Sequence, residues 1–250
     1  MRIFGVEFDG NTFTELFFIW WFCSFLVLFP VLLVMARAAK QRERRNRIER
    51  LFDETRFGAD AKAKKRFRKA LGLIVSDDVK FGKASRIFKR IMNKTADPLD
   101  RAYCAQWYGK CREAGGDEFY AATFYTEAVR IAPSDVFALN RLANYYHDKD
   151  YEKSERYYRQ SLEYDPTETR VYFGLGKLYS RNGEPEKAIK QYETAIAVNN
   201  GYVAPMAEAA IEYAKKGDKE NCLKYYLLAM ANDLYEFDKL EEEIKLCLSD

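Results

Sequence analysis

Histidine is nearly missing from this 250-residue chain, in which His147 stands alone. Sites that gather several imidazoles around a metal are therefore excluded, and no partner for a catalytic imidazole stands in a motif with it. Glycine (13) and proline (6) are few, which argues against turn-rich β structure and for long helices. The five cysteines, Cys23, Cys104, Cys111, Cys222 and Cys247, are odd in number and contain no CxxC pair. Neither a disulfide framework nor a zinc site is indicated. No GxxxxGK[ST] loop and no GxGxxG after a strand is present to cradle a phosphate. Carboxylates are plentiful, but Glu127, Glu163 and Glu193 sit at helix-surface places where solvation accounts for them. The sequence predicts no catalytic residue, no metal and no cofactor, and the chain is read as a non-enzyme.

What the chain does contain is unevenly spread. The net charge is −2 over residues 1–36, +12 over 37–101 and −7 over 102–250. From Leu16 to Ala36 run 21 residues without a charge, bounded by Glu15 and Arg37. At about 1.5 Å per residue a helix of that length reaches about 30 Å, the thickness of a bilayer core. Phe17, Phe18, Ile19, Trp20, Trp21 and Phe22 in succession leave it no polar face. The arginines that follow place the C-terminal side in the cytoplasm by the positive-inside rule. The expectation is a single-pass cell-membrane protein, with residues 1–15 a short extracytoplasmic tail, 16–36 a transmembrane helix kinked at Pro30, and the lipid bilayer as a partner.

Residues 37–65 are expected to form a basic juxtamembrane helix or linker. Arg37, Lys40, Arg42, Arg44, Arg45 and Arg47 are its candidate membrane-surface residues, since each cation near an anionic leaflet contributes about 1 kcal/mol. The simpler alternative is that they only set topology and solvate a helix. Nucleic acid is disfavoured as a partner, because no aromatic stacking platform for a single strand lies beside the charges.

The rest of the chain repeats itself. Tyr125, Tyr158, Tyr192 and Tyr226 are spaced 33, 34 and 34 apart, and Ala128, Ser161, Ala195 and Ala229 keep the same spacing, as do Ala121, Ser154, Ala188 and Cys222. A period of 33 to 34 is the length of a two-helix unit. Small residues recur where helices press together, and large ones where a gap is filled. Tyr108-Gly109, Leu142-Ala143, Leu175-Gly176 and Ala209-Ala210 mark the first helix of each unit. Their spacing locates one missing residue in the turn of the second unit, around Lys149-Asp150. The other turns carry glycine at Gly115-Gly116, Gly183 and Gly217, suited to the left-handed conformation that ends a helix.

These residues resemble the tetratricopeptide repeat family. The third unit matches best, with Leu175, Gly176, Tyr179, Gly183, Ala188, Tyr192 and Ala195 at the signature places. The fold class predicted is all-α: one N-terminal transmembrane helix, then a tetratricopeptide-type α-solenoid. Its four clear hairpins cover 102–236, as units 102–135, 136–168, 169–202 and 203–236. A degenerate hairpin is expected over 66–101, where Leu71-Gly72, Ala84, Phe88 and Ile91 stand at the places of a fifth repeat, and a capping helix over 237–250 with the stripe Leu240, Ile244 and Leu248.

In that family the concave groove is lined by the first helix of each unit and receives peptides or partner helices. The resemblance implies the groove residues Tyr103, Gln106, Lys110 and Glu113 in the first unit and Phe137, Asn140, Asn144 and His147 in the second. In the third it implies Arg170, Phe173, Lys177 and Ser180, and in the fourth Ile211 among Ala204, Ala207 and Ala214. Such a groove suits a protein or peptide segment with an acidic part near Lys110, Arg170 and Lys177 and an apolar part near Ile211. The family's carboxylate clamp for chaperone tails is not reproduced, because Asn140 and Asn144 lack the companion lysine and asparagine in the flanking units. The function expected is a membrane-anchored interaction scaffold. The alternatives are a structural subunit of a larger secretion, transport or envelope complex, or an adaptor for anionic lipid or nucleic acid acting through the basic segment.

Overall fold

The structure, a computed structural model, describes residues 2–3, 6–7, 32–232, 241–242 and 244–245. The chain divides into two compact units, Met1–Lys80 and Phe81–Asp250.

The expected single-pass membrane location is overturned in the first unit. Among the described residues no helix is long and apolar enough to cross a membrane. Residues 16–31 of the expected span lie outside the described residues. Residues 32–36 belong to helix α1 (32–51), in which Leu32, Leu33, Val34 and Met35 are exposed. From Arg37 onward every turn of α1 carries charge, so among the described residues its apolar part is far short of the roughly 20 residues a bilayer demands. The bilayer as a partner through a transmembrane helix falls with this. Within the expected tail, strand β1 (Arg2–Ile3) pairs antiparallel with β2 (Val6–Glu7), a small departure from an all-helical chain.

Helix α1 is solvated along 32–47 and tied to the region around α2 (Ala61–Ile74) by polar contacts. Arg44 donates to the carbonyl of Gly72, and Lys40 Nζ lies 2.5 Å from Asp77 Oδ2. Between the two helices Phe52, Phe57 and Phe67 form a small aromatic core with ring centroids 5.3 to 6.4 Å apart. The Arg68 guanidinium caps it, 4.3 Å from the centroid of Phe52. Phe57 adopts a left-handed φ of 65°, a strain of about 1–3 kcal/mol that burial of its ring offsets.

The second unit is a stack of helices: α3 (Phe81–Met92), α4 (Pro98–Glu113), α5 (Glu118–Ile131), α6 (Val136–Tyr146) and α7 (Tyr151–Tyr164), then α8 (Thr169–Arg181), α9 (Pro185–Val198), α10 (Val203–Lys215) and α11 (Lys219–Ala231). Four hairpins pair α4 with α5, α6 with α7, α8 with α9 and α10 with α11, and the second helix of each packs on the first helix of the next. The chain is thus an all-α solenoid over this unit. Helix α3 packs on α4, whereas α2 falls in the first compact unit, so the hairpin expected over 66–101 is split between units. Of the expected capping helix, only 241–242 and 244–245 are described, and Ile244 is buried in the core formed by α8 to α11.

Five of these helices, α4, α5, α6, α7 and α11, start where an aspartate satisfies a free N–H group of the first turn. Asp97, Asp117, Asp135, Asp150 and Asp218 each accept from the amide three residues on. The turns inside the hairpins close in one way with one exception. Asp117, Glu184 and Asp218 donate their amides to Arg112, Tyr179 and Tyr213, five residues back, around Gly116, Gly183 and Gly217 at φ of 83°, 75° and 72°. Asp150 instead donates to Tyr146, four residues back, at 2.8 Å. The residue missing from the period is missing from this turn.

The recurrent residues are the core. Tyr125, Tyr158, Tyr192 and Tyr226 are buried, and so are the small residues at all eight repeat places from Ala121 to Ala229. Burying a large side chain contributes about 1.5–3 kcal/mol, so the four tyrosines outweigh the weak intrinsic helix preference of aromatic residues.

Candidate functional site

The first helices of neighbouring hairpins are linked by side chains that cross from α4 to α6 and from α8 to α10. Lys110 Nζ of α4 stands 5.5 Å from the ring centroid of Phe137 on α6, and Arg141 of α6 reaches back to Glu113 of α4 at 3.3 Å. Ser180 of α8 donates to Glu212 of α10 at 2.6 Å.

A pocket of about 350 Å³ lies between α6, α7 and α8. Four of the residues implied by the resemblance meet there, Phe137, Asn140, Asn144 and Arg170, together with Val136, Arg141, Tyr158 and Glu168. The Tyr158 hydroxyl donates to Asn144 Oδ1 at 2.5 Å. Asn140 Oδ1 is buried without a hydrogen-bond partner. Glu168 holds Arg170 through two contacts of 2.9 and 3.0 Å and keeps its own carboxyl below the ordinary value mainly through that hydrogen bonding. Lys110 also lies beside Trp107, 4.8 Å from the ring centroid. Its ammonium is held below the usual lysine value, chiefly by burial and then by the Arg141 guanidinium, with Arg170 adding to the same effect.

The other implied residues are distributed along the surface. Tyr103 and Gln106 are half-buried on α4. On α8, Phe173 packs edge-on against Tyr202 at 5.4 Å, with Lys177 Nζ 5.8 Å from its centroid. Ile211 is half-buried against the core of the last two hairpins, so its apolar side chain is partly spent on packing. His147 lies apart, at the turn after α6, with Nδ1 2.7 Å from Asp148 Oδ1 and Arg181 paired to the same carboxylate. Arg141, Tyr158 and Glu168 were not foreseen. Arg141 stands four residues after Phe137 and so shares its helix face, a signal the sequence carried, whereas Tyr158 reads as core and lines the pocket while its hydroxyl is bound to Asn144.

Of the six candidate membrane-surface residues, Lys40 pairs with Asp77, Arg47 pairs with Glu43 at 2.6 Å, and Arg44 is bound to a backbone carbonyl. Arg37, Arg42 and Arg45 are exposed on α1.

This architecture defines a class, the helical-repeat protein built of stacked hairpins. The tetratricopeptide repeat family model matches residues 135–200 of this helical-repeat chain. The chain is 25% identical over 134 residues to the small glutamine-rich tetratricopeptide repeat-containing protein 2 of Saccharomyces cerevisiae. That match takes in 53% of this chain and 39% of the yeast protein, so well under half of that relative is spanned. Among solved structures, a crystal structure of MamA superposes with a TM-score of 0.54 at 21% identity, covering 76% of this chain and 98% of that one. A MamA fragment from Desulfovibrio magneticus RS-1 gives 0.60 at 18% identity over 69% and 96%. The pilF structure from Pseudomonas aeruginosa gives 0.64 at 16% identity over 77% and 89%. At these identities the structural likenesses bear on the fold alone.

Proposed function

We propose that the chain is a protein-interaction scaffold that holds a segment of another protein against the groove side of α4, α6, α8 and α10. The observation that carries this reading is the convergence of Phe137, Asn140, Asn144 and Arg170 on one pocket. These are residue types that bind peptides: an asparagine amide pairs with both groups of a backbone peptide unit, and a ring and a guanidinium take side chains. The tetratricopeptide-type repeats support it further, because stacking of hairpins leaves an extended surface that no element of the same chain needs to cover.

The test is site-directed photocrosslinking of the full chain in cells. A photoreactive phenylalanine at Phe173, on the groove, is expected to trap a partner through one contiguous segment. The same probe at Phe119, which is 71% exposed on α5, is expected to trap it far less. Replacing Asn144 and Lys177 together by Ala is expected to abolish the Phe173 crosslink with helical content retained, and with only the modest fall in melting temperature that loss of the Tyr158 hydroxyl's partner brings. A crosslink that survives this change, or that forms equally from Phe119, refutes the groove assignment.

A further inference from the structure

We propose that the two ends of the helix stack are complementary and that a second copy of this chain docks head to tail, its basic α3 face against the apolar and acidic end formed by α11 and residues 241–245. Neither end belongs to the groove, so this association is independent of the scaffold reading.

The apolar part of the contact follows from the repeat register. Tyr226 repeats Tyr192, which sets Leu223, Leu227 and Met230 of α11 at the places of Ile189, Glu193 and Ile196 on α9. On α9 those places serve the next hairpin: Ile189 is buried, Ile196 packs into the shared core, and Glu193 accepts from Tyr213 and Tyr225. On α11 they face outward instead, with Leu223, Leu227 and Met230 exposed to 46%, 52% and 43%. Spaced four and three apart, they form one apolar stripe where another helix would stack if the array went on.

Charge decides what stacks there. From Phe81 to Ala96 the sequence has five cations and no carboxylate. Lys83, Arg86, Arg90 and Lys94 are exposed and spaced three, four and four apart, so they share one stripe along α3 and just beyond it. Among the described residues none of the four is paired with a carboxylate. The apolar side of α3, with Ala84, Phe88 and Ile91, is buried where the helix packs on α4, so it is not free to enter lipid as an amphipathic membrane helix does. At the other end, residues 233–250 hold seven carboxylate side chains and two lysines. Glu241 and Glu242 are exposed beside the buried Ile244. Burial, and then the charge of Glu241, push the Tyr226 phenol of α11 up, which places this acid on the α11 side. Like charges oppose the joining of two α3 faces or of two C-terminal ends, whereas α3 against the far end pairs opposite charges. The half-buried Ile87 beside the α3 cations and the exposed Leu99 at the start of α4 are the apolar surface that meets the Leu223 stripe. Because every copy carries both ends, the contact is heterologous and the assembly is an open chain of copies.

Sedimentation velocity of the full chain over a concentration series reads the association. The parent is expected to grow with concentration, and its apparent Kd to rise about tenfold between about 0.05 and about 0.5 M salt, because exposed charges are screened. Arg86→Glu/Arg90→Glu and Glu241→Lys/Glu242→Lys are each expected to stay monomeric with an unchanged circular dichroism spectrum, since all four side chains are exposed. The chain with all four reversals is expected to associate again. Leu223→Ser/Leu227→Ser is expected to weaken association about tenfold. A monomeric parent overturns the proposal, as does a fourfold reversal that fails to restore what each pair removed. Association that persists in high salt and in both charge variants assigns it to another surface, such as the uncharged run of residues 16–36, and refutes this one. If Arg86→Glu/Arg90→Glu leaves the mass distribution unchanged but abolishes binding of duplex DNA or of phosphatidylserine vesicles, the α3 stripe serves that polyanion and not a second copy.

Discussion

Gly176 on α8 lies so close to the ring of Tyr192 on α9 that a β-carbon there would overlap the ring edge. The same relation recurs one unit earlier in altered form, where a β-carbon at Gly174 would come within 2.6 Å of the Tyr158 ring. It recurs again at Gly109, 2.8 Å from Tyr125. Two effects oppose each other at these sites. Alanine favours a helix over glycine by about 1 kcal/mol, whereas forcing atoms into a filled interface costs about 1–3 kcal/mol. Gly176→Ala is therefore expected to lower the urea midpoint with an unchanged slope, by a net loss of about 1–2 kcal/mol. A raised midpoint would show that the ring yields and that the close approach is not required.

These contacts explain why the repeat region was legible in the sequence. A small residue on one helix and a tyrosine sixteen residues away on its packed neighbour meet in each of these pairs, and because both recur with the repeat period their pattern was visible in the sequence. The missing residue at Lys149-Asp150 was visible for the same reason, and it became the shorter Tyr146–Asp150 turn. The first eighty residues were harder. An uncharged run beside arginines satisfies the hydropathy rule for a membrane span, but the rule weighs composition alone, and the described part of the run, residues 32–36, is exposed on α1. The groove was half legible: residues implied by the resemblance converge at Phe137 and Asn144, yet the ion pairs that decide its charge, such as Arg141 with Glu113, depend on three-dimensional neighbours 28 residues apart.

Glu193 on α9 accepts from two phenols at once, Tyr213 of α10 at 2.9 Å and Tyr225 of α11 at 2.8 Å, whose rings stack at 5.5 Å. This carboxylate joins the third hairpin to the fourth. Replacing it by Ala is expected to cost about 1–3 kcal/mol, with strong coupling to Tyr213→Phe in a double-mutant cycle. Additive effects would show that the contact carries no energy of its own. A pH dependence follows from the same geometry. Burial, then the bond to Glu193, pushes the Tyr213 phenol up to about 12 and moves Tyr225 in the same direction. An unfolded phenol ionises near pH ~10. The contribution is thus intact below that pH and is lost as pH rises toward the folded value. The Tyr213→Phe/Tyr225→Phe variant should show a shallower fall in melting temperature between roughly pH 9 and 11.5 than the parent.

Asp150 starts α7 from the turn that is one residue short. Its carboxylate accepts the Lys153 amide at 3.0 Å and also holds Lys153 Nζ at 2.7 Å. Asp150→Ala is expected to destabilise by about 1 kcal/mol, whereas Asp150→Asn, which keeps the cap and drops the exposed ion pair, should change stability by only a few tenths. Equal losses in the two variants would assign the stabilisation to charge instead of to the cap.

His147 provides a reporter for the far end of α6, because one imidazole gives one set of resonances. Its Nδ1 approaches Asp148, but Arg181 occupies the same carboxylate, so the acid does little to favour the protonated ring. Burial acts first, then Arg181 and Lys177, and all three depress its proton affinity below the ordinary value. The sign of the linkage follows from a depressed folded value. The neutral ring of the native state is fully favoured above the unfolded value near pH ~6.5, and stability is lost as pH falls through the folded one. A proton NMR titration should place the midpoint below about 6.5. Arg181→Gln should raise it by removing a positive neighbour and releasing Asp148 to the imidazole, and Lys177→Ala should raise it by a smaller amount. A parent midpoint at or above the ordinary value, or no response to Arg181→Gln, would mean that Asp148 serves the histidine and that Arg181 points elsewhere in solution.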